Sequence, residues 1–270
     1  MSSPLAPAAL AERRLFEPIA GLLARFETLP DAADLDALLR TQTPAPCSGG
    51  GQPLRFVRPE KELSAGYEEQ VFHTGAVPTR ADDWHDFFNA LAWCVWPRAK
   101  AACNALHLRE IAARKAAGLA GRGPCRDTLT QFDECGILVV TSVTEIACLL
   151  ADHQWETAFW DRRRELIACT RFLIFGHGSW DQLRQPFTGL CAKALYRVVD
   201  PGWLALPPAG QQAEADAWLA GQLAQAPDLS PRQLSPLPLL GIPGVSADSE
   251  CRSHYRDTRQ FRPKRRPAAG

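Results

Sequence analysis

The segment 84–96 reads WHDFFNALAWCVW and contains no lysine, arginine or glutamate. A helix with one side in water normally carries those residues on that side. At about 100° per residue, Trp84, Phe87, Phe88, Leu91 and Val95 share one arc of such a helix. His85, Asp86 and Asn89 fall on the opposite arc, together with Trp93 and Trp96. The helix is therefore expected to be covered on both sides, which restricts the chain to folds that place material on each face of it. Its polar groups must then be at least partly buried, and a buried group left without a partner costs about 1–3 kcal/mol.

The following residues offer partners. Pro97 suits the first turn of a second helix, where its missing N–H costs nothing, and Lys100, Asn104 and His107 recur at helical spacing along it. Consecutive helices with a short connection pack antiparallel, which brings the two polar faces together. The candidate site is His85, Asp86, Asn89, Asn104 and His107. His85, Asp86 and His107 are the donors for a divalent metal, or Asp86 orients a histidine acting as general base. The spacing matches no zinc motif such as His-Glu-x-x-His. The other reading is a closed hydrogen-bond network that ties helices together and binds nothing.

The 270 residues carry thirty basic and thirty acidic side chains, so no overall field draws the chain to nucleic acid or an anionic membrane. No uncharged apolar stretch of about 18 residues occurs, and the amphipathic start, broken by Glu12, Arg13, Arg14 and Glu17, lacks the run of a secretory signal. Cytoplasmic location is expected. Nine cysteines with no Cys-x-x-Cys pair read as reduced thiols, with Cys94, Cys103, Cys148, Cys169 and Cys191 packing as small hydrophobes. Five lysines against twenty-five arginines fit a GC-rich bacterial genome.

The expected fold is α+β and predominantly helical, a single globular domain with a small β-hairpin and a Pro-rich C-terminal strap. Residues 1–45 form an N-terminal helical segment split at Pro30 and packed on the main domain, with Asp31 or Asp34 capping its second helix. Residues 46–250 are the main domain, and 251–270 a flexible basic tail. Within the main domain, 54–57 reads as a short strand and 58–79 as an irregular loop. The paired strands of the hairpin are 128–132 and 137–141, with Gly136 supplying a positive φ. Helices follow at 143–150, 155–175 and 211–225. The segment 190–199 is ambiguous between helix and strand, and 234–245 crosses the surface as the strap.

Two further groups carry chemistry. Asp133 and Glu134 either serve the hairpin turn or lend carboxylates to a site, turn chemistry being the simpler account. His177, between two glycines, either caps a helix end or is a ligand held close to the backbone. No phosphate-binding loop, dinucleotide fingerprint or Gly-x-Ser-x-Gly elbow occurs.

The segments PTRADDWHDFFNALAWCVWPRAKAACNALH (78–107), RDTLTQFDECGILV (126–139), FLIFGHG (172–178) and LPLLGIPG (237–244) resemble the bacterial family catalogued as Domain of Unknown Function 3025. The resemblance implies a single-domain bacterial protein and brings no activity, cofactor or catalytic residue with it. Where the family pattern has a tryptophan after GIPG and then an Asn-Glu pair, this chain has Val245 and Ser249-Glu250.

Two functional readings follow. One is a hydrolase with a small-molecule substrate, using the five site residues around a divalent metal, and it requires a cleft at the cluster. The other is a non-catalytic intracellular interaction or scaffold protein, with the cluster sealed and an exposed apolar patch elsewhere.

Overall fold

The run GILVVT at 136–141 is rich in β-branched residues and buried at every position. A strand of that kind is stable only with cover on both faces. In the computed structural model, which describes residues 5–59, 66–226 and 230–264, helices on either side of it in sequence supply contacts. In chain order the elements are α1 (Ala20–Leu23), α2 (Ala32–Leu39), β1 (Arg55–Val57), α3 (Tyr67–Thr74), β2 (Ala76–Pro78), α4 (Trp84–Val95), α5 (Pro97–Ala116) and α6 (Gly123–Cys135). Then come β3 (Gly136–Thr141), α7 (Thr144–Ala151), α8 (Arg163–Cys169), β4 (Thr170–Ile174), α9 (His177–Leu183), β5 (Cys191–Val198), α10 (Pro208–Gln225) and β6 (Ser235–Pro238). The larger sheet runs β4-β3-β5-β6, with β3 antiparallel to β4 and parallel to β5, and β6 antiparallel to β5. β1 and β2 form a separate parallel pair.

The fold is thus α+β and predominantly helical, a single domain with one small mixed sheet. The doubly covered helix is α4. Phe87, Phe88 and Leu91 are buried on one side, and Asn89, Trp93 and Trp96 on the other. Asp83 caps it by accepting from the Asp86 N–H at 3.0 Å. Trp96 donates its indole N–H to the Ile174 carbonyl at 2.8 Å, which pins the end of α4 to β4. α5 starts at Pro97, and α10 lies along it. Asp216 of α10 accepts from the Ala99 and Arg98 N–H groups at the start of α5. No helix among the described residues is long and apolar enough to cross a membrane.

Several local expectations differ from the structure. Residues 128–132, read as the first arm of the hairpin, lie inside α6. Thr128 and Thr130 return their hydroxyls to the carbonyls of Pro124 and Arg126, so their branched side chains suit a helix here. Gly136 has φ −71° in extended backbone, and β3 finds its antiparallel partner in β4, across an intervening helical segment. The long helix expected at 155–175 breaks into a π-turn (Thr157–Asp161), α8 and β4. Its apolar end belongs to a strand, which periodicity alone does not distinguish from a buried helix. Residues 58–79, read as irregular, hold α3 and β2, while 60–65 lie outside the described residues. α3 buries only Val71, so it carries no apolar stripe. The ambiguous segment 190–199 is strand β5.

At the N-terminus Leu10, Leu15, Phe16, Ile19 and Leu23 enter the core, and Asp31 with Asp34 forms a capping box for α2. The strap contributes β6 and buries Leu237, Leu239 and Ile242. The stretch read as a flexible basic tail is bound to the body over its described part, to residue 264. Tyr255 and Phe261 are buried, and Glu156 pairs with both Arg252 and Arg256. The nine cysteines carry no disulfide, and Cys148 is exposed on α7 where a packed thiol was expected.

Candidate functional site

Three helix ends meet at one point. His85 stands in the first turn of α4, Glu134 in the last turn of α6, and His177 is the first residue of α9. α9 packs against both α4 and α6. The glycines around His177 make that approach feasible: a Cβ on Gly176 would lie 2.3 Å from the Gly136 nitrogen, and one on Gly178 would lie 2.9 Å from the Glu134 carbonyl oxygen.

The His177 and His85 Nε2 atoms are 3.1 Å apart, and Glu134 Oε1 is 3.7 Å from each. A point equidistant from the corners of that triangle lies about 2.0 Å from all three, the length of zinc bonds to histidine nitrogen and carboxylate oxygen. Among the described residues this is the one group of three His, Cys, Asp or Glu donors close enough to share an ion. His177 is buried, whereas the side chains of His85 and Glu134 are 37% and 45% exposed, so the group opens to one side. Burial drops the His177 imidazole to about 3, keeping it neutral at physiological pH, and burial raises the Glu134 carboxyl. Asp133 Oδ2 lies 3.7 Å from His177 Nδ1, which is buried with no hydrogen-bond partner among the described residues; a carboxylate at that position attracts a proton to Nδ1 without hydrogen-bonding it.

Behind the triad runs a polar chain. Asp133 Oδ1 accepts from the Lys100 ammonium at 2.6 Å, which also donates to Asn89 Oδ1 at 3.0 Å. Asn89 in turn donates to the Tyr67 hydroxyl at 3.0 Å. Lys100 is 4% exposed and lies 5.3 Å from the Trp93 ring centroid. Burial opposes the Asp133 charge, but the Lys100 ammonium holds its carboxyl below the ordinary range. Tyr67, buried, is raised to about 12 and stays protonated. The polar faces of α4 and α5 therefore do meet, through Asn89 and Lys100.

The other expected site residues have separate occupations. Asp86 is held by Arg80, whose Nε and Nη2 approach its two oxygens at 2.8 and 2.9 Å while the Arg80 N–H donates at 2.7 Å. That bidentate pair leaves Asp86 outside the donor triad. Asn104 accepts from the Gly49 N–H and donates to the Glu68 carbonyl and carboxylate, joining three segments. His107 is buried with Nε2 3.7 Å from Glu68 Oε1, and burial lowers its imidazole to about 4, so it too is neutral. It lies outside the metal-competent triad. Of the expected ligands only His85 takes a place in that group. Its companions, Glu134 and His177, are the residues that the turn and cap readings accounted for more simply. The signals for them were the two glycines flanking His177 and the carboxylate pair ahead of a buried strand.

The triad sits in a cleft of about 590 Å³, which Glu68, Asp86, Asn89, His107, Arg122 and Arg126 also line. A volume of that size fits a small-molecule ligand. A family model described as "Protein of unknown function (DUF3025)" matches residues 54–265. No curated protein and no solved structure matches the chain.

Proposed function

Because the chain belongs to the DUF3025 family, whose description assigns no activity, we propose its function from geometry: a hydrolase acting through one divalent metal, of which zinc is the simplest, bound by His85, Glu134 and His177. The observation that carries this reading is the triangle of two facing Nε2 atoms and one carboxylate oxygen with a common centre at metal-bond distance. Two histidines and a glutamate with one side open to a cleft is a donor set of the catalytic kind, since a structural zinc site normally closes four protein ligands around the ion. An ion held there would lower the pKa of a coordinated water towards neutrality and polarise a carbonyl or phosphoryl oxygen. Asp133 would orient His177, and Lys100 would keep Asp133 ionised. These are positioning roles.

A second reading, a closed hydrogen-bond network in a non-catalytic interaction protein, is supported by Asn104 and Lys100, whose polar atoms are engaged within the protein. It accounts for that half of the cluster. It also accounts for the 3.1 Å contact of the two Nε2 atoms, as a hydrogen bond between imidazoles, but gives no reason for a carboxylate oxygen set 3.7 Å from both at the mouth of a cleft.

Elemental analysis of the purified chain, repeated after zinc loading and desalting, tests the proposal. About one ion per chain is expected, lost in His177→Ala and in His85→Ala. The zinc-loaded protein is then run against ester, amide and phosphoester substrates, with His177→Ala as control. Failure of the wild-type chain to retain zinc, or equal retention by both variants, overturns the metal centre.

A further inference from the structure

The cleft has a second end. Arg126, Thr130, Asp133 and Glu134 are spaced by four, three and one along α6 and all line it, so one stripe of this helix runs from Arg126 to the triad. The Arg126 side chain makes no hydrogen bond or ion pair among the described residues, and its Nε is buried without an acceptor. The chain's other partly buried arginines behave differently. Arg163 pairs with Glu250 and Arg197 with Glu214. The acid nearest in character, Glu68, has one carboxylate oxygen taken by Asn104 and the other 3.7 Å from His107. Arg122 precedes the first residue of α6 and lines the same end of the cleft. It contacts Thr130 and lies 3.6 Å from an exposed Asp127. No acidic residue occupies the first turn of α6, where acids are normally favoured. The result is two guanidinium groups at one end of a cleft, Arg126 with no hydrogen-bonded or ion-paired side-chain partner among the described residues and Arg122 with only an exposed acidic one.

Resting on the metal reading above, we infer that the substrate is anionic and that Arg126, assisted by Arg122, binds its oxyanion while the triad acts on the far end. A planar guanidinium grips a carboxylate or a phosphate through two parallel N–H bonds, and both belong to that shared chemistry. Eight residues separate Arg126 from Glu134, about 12 Å along the helix axis. The substrate is therefore a small molecule carrying its anionic group at one end of the cleft and the bond to be hydrolysed at the other.

Inorganic phosphate and benzoate, titrated calorimetrically at low ionic strength into the full chain, distinguish the two sources. Each titration is made on as-purified and on chelator-treated protein, beside Arg126→Gln and Arg126→Lys. Saturable binding of at least one probe is expected in both metal states. It should weaken about tenfold or more in Arg126→Gln, with partial recovery in Arg126→Lys, which keeps the charge but not the fork. The probe that binds identifies phosphate or carboxylate. Undiminished affinity in Arg126→Gln overturns the inference, as does failure of both probes to bind. Binding that disappears on metal removal and ignores Arg126 also overturns it, while leaving the metal centre standing. Arg126-dependent binding in a chain that retains no metal supports the anion site and refutes the hydrolase reading alone.

Discussion

Replacing Lys100 by methionine isolates the charge at the heart of the polar chain. Methionine keeps an unbranched stem against Trp93, so most of the packing survives. What disappears is the ammonium 2.6 Å from Asp133 and 3.0 Å from Asn89 Oδ1. The Asp133 side chain is only 19% exposed, and its carboxylate would remain with no cation in contact. Removing one partner of a buried ion pair costs about 3–5 kcal/mol, a large part of the roughly 5–15 kcal/mol that holds a typical domain together. Adding Asp133→Leu removes the stranded carboxylate as well. The double variant should then be more stable than the sum of the single losses by at least about 2 kcal/mol. Urea denaturation followed by tryptophan fluorescence measures each variant, with the denaturant slope compared to confirm two-state behaviour. A loss below about 1 kcal/mol in Lys100→Met, or strict additivity in the double variant, would show that this pair does not organise the core.

Gly178→Ala places a methyl 2.9 Å from the Glu134 carbonyl oxygen, so the start of α9 must shift. Zinc retention should weaken at least about tenfold, as a small displacement of one ligand disrupts the site, and competition with a chromogenic chelator reads it. Asn104→Leu should cost about 2–4 kcal/mol through the Gly49 and Glu68 groups it strands, with zinc content unchanged. Zinc loss in that variant at full stability would return Asn104 to the site. Burial raises the Asp216 carboxyl from 3.8 to about 6, with its backbone hydrogen bonds and Arg98 opposing. The folded chain then holds this proton more tightly than the unfolded one. The stabilisation is full below about pH 3.8 and lost as pH rises through about 6, by up to about 3 kcal/mol. Asp216→Asn should lack that fall, and denaturation at pH 4, 5 and 6.5 checks it. A wild-type-to-variant difference that stays constant with pH would refute the shift.

Much of the scaffold was legible in the residues. The absence of long cationic or glutamate side chains from 84–96 requires α4 to be enclosed. Asp83, Pro97 and the Asp31–Asp34 pair mark helix starts because capping and φ restriction are local effects. Local effects also misled. Thr128 and Phe132 favour a strand by propensity, yet packing on β3 and β5 holds them in α6, and the apolar end of 155–175 reads alike as buried helix or strand.

The candidate site was half legible for the same reason. His85 and the encounter of Asn89 with Lys100 follow from spacing on adjacent helices, which is short-range geometry. Glu134 and His177 are 49 and 92 residues from His85, and no periodicity links them. β3 follows α6 directly along the chain, but only the sheet order decides that β4 returns beside it and that α9 therefore begins where α6 ends. The sequence by itself determined an enclosed helix with polar groups in need of partners. Tertiary structure chose those partners, because hydrogen bonds and metal ligation depend on ångström distances between segments that the chain's local preferences leave free.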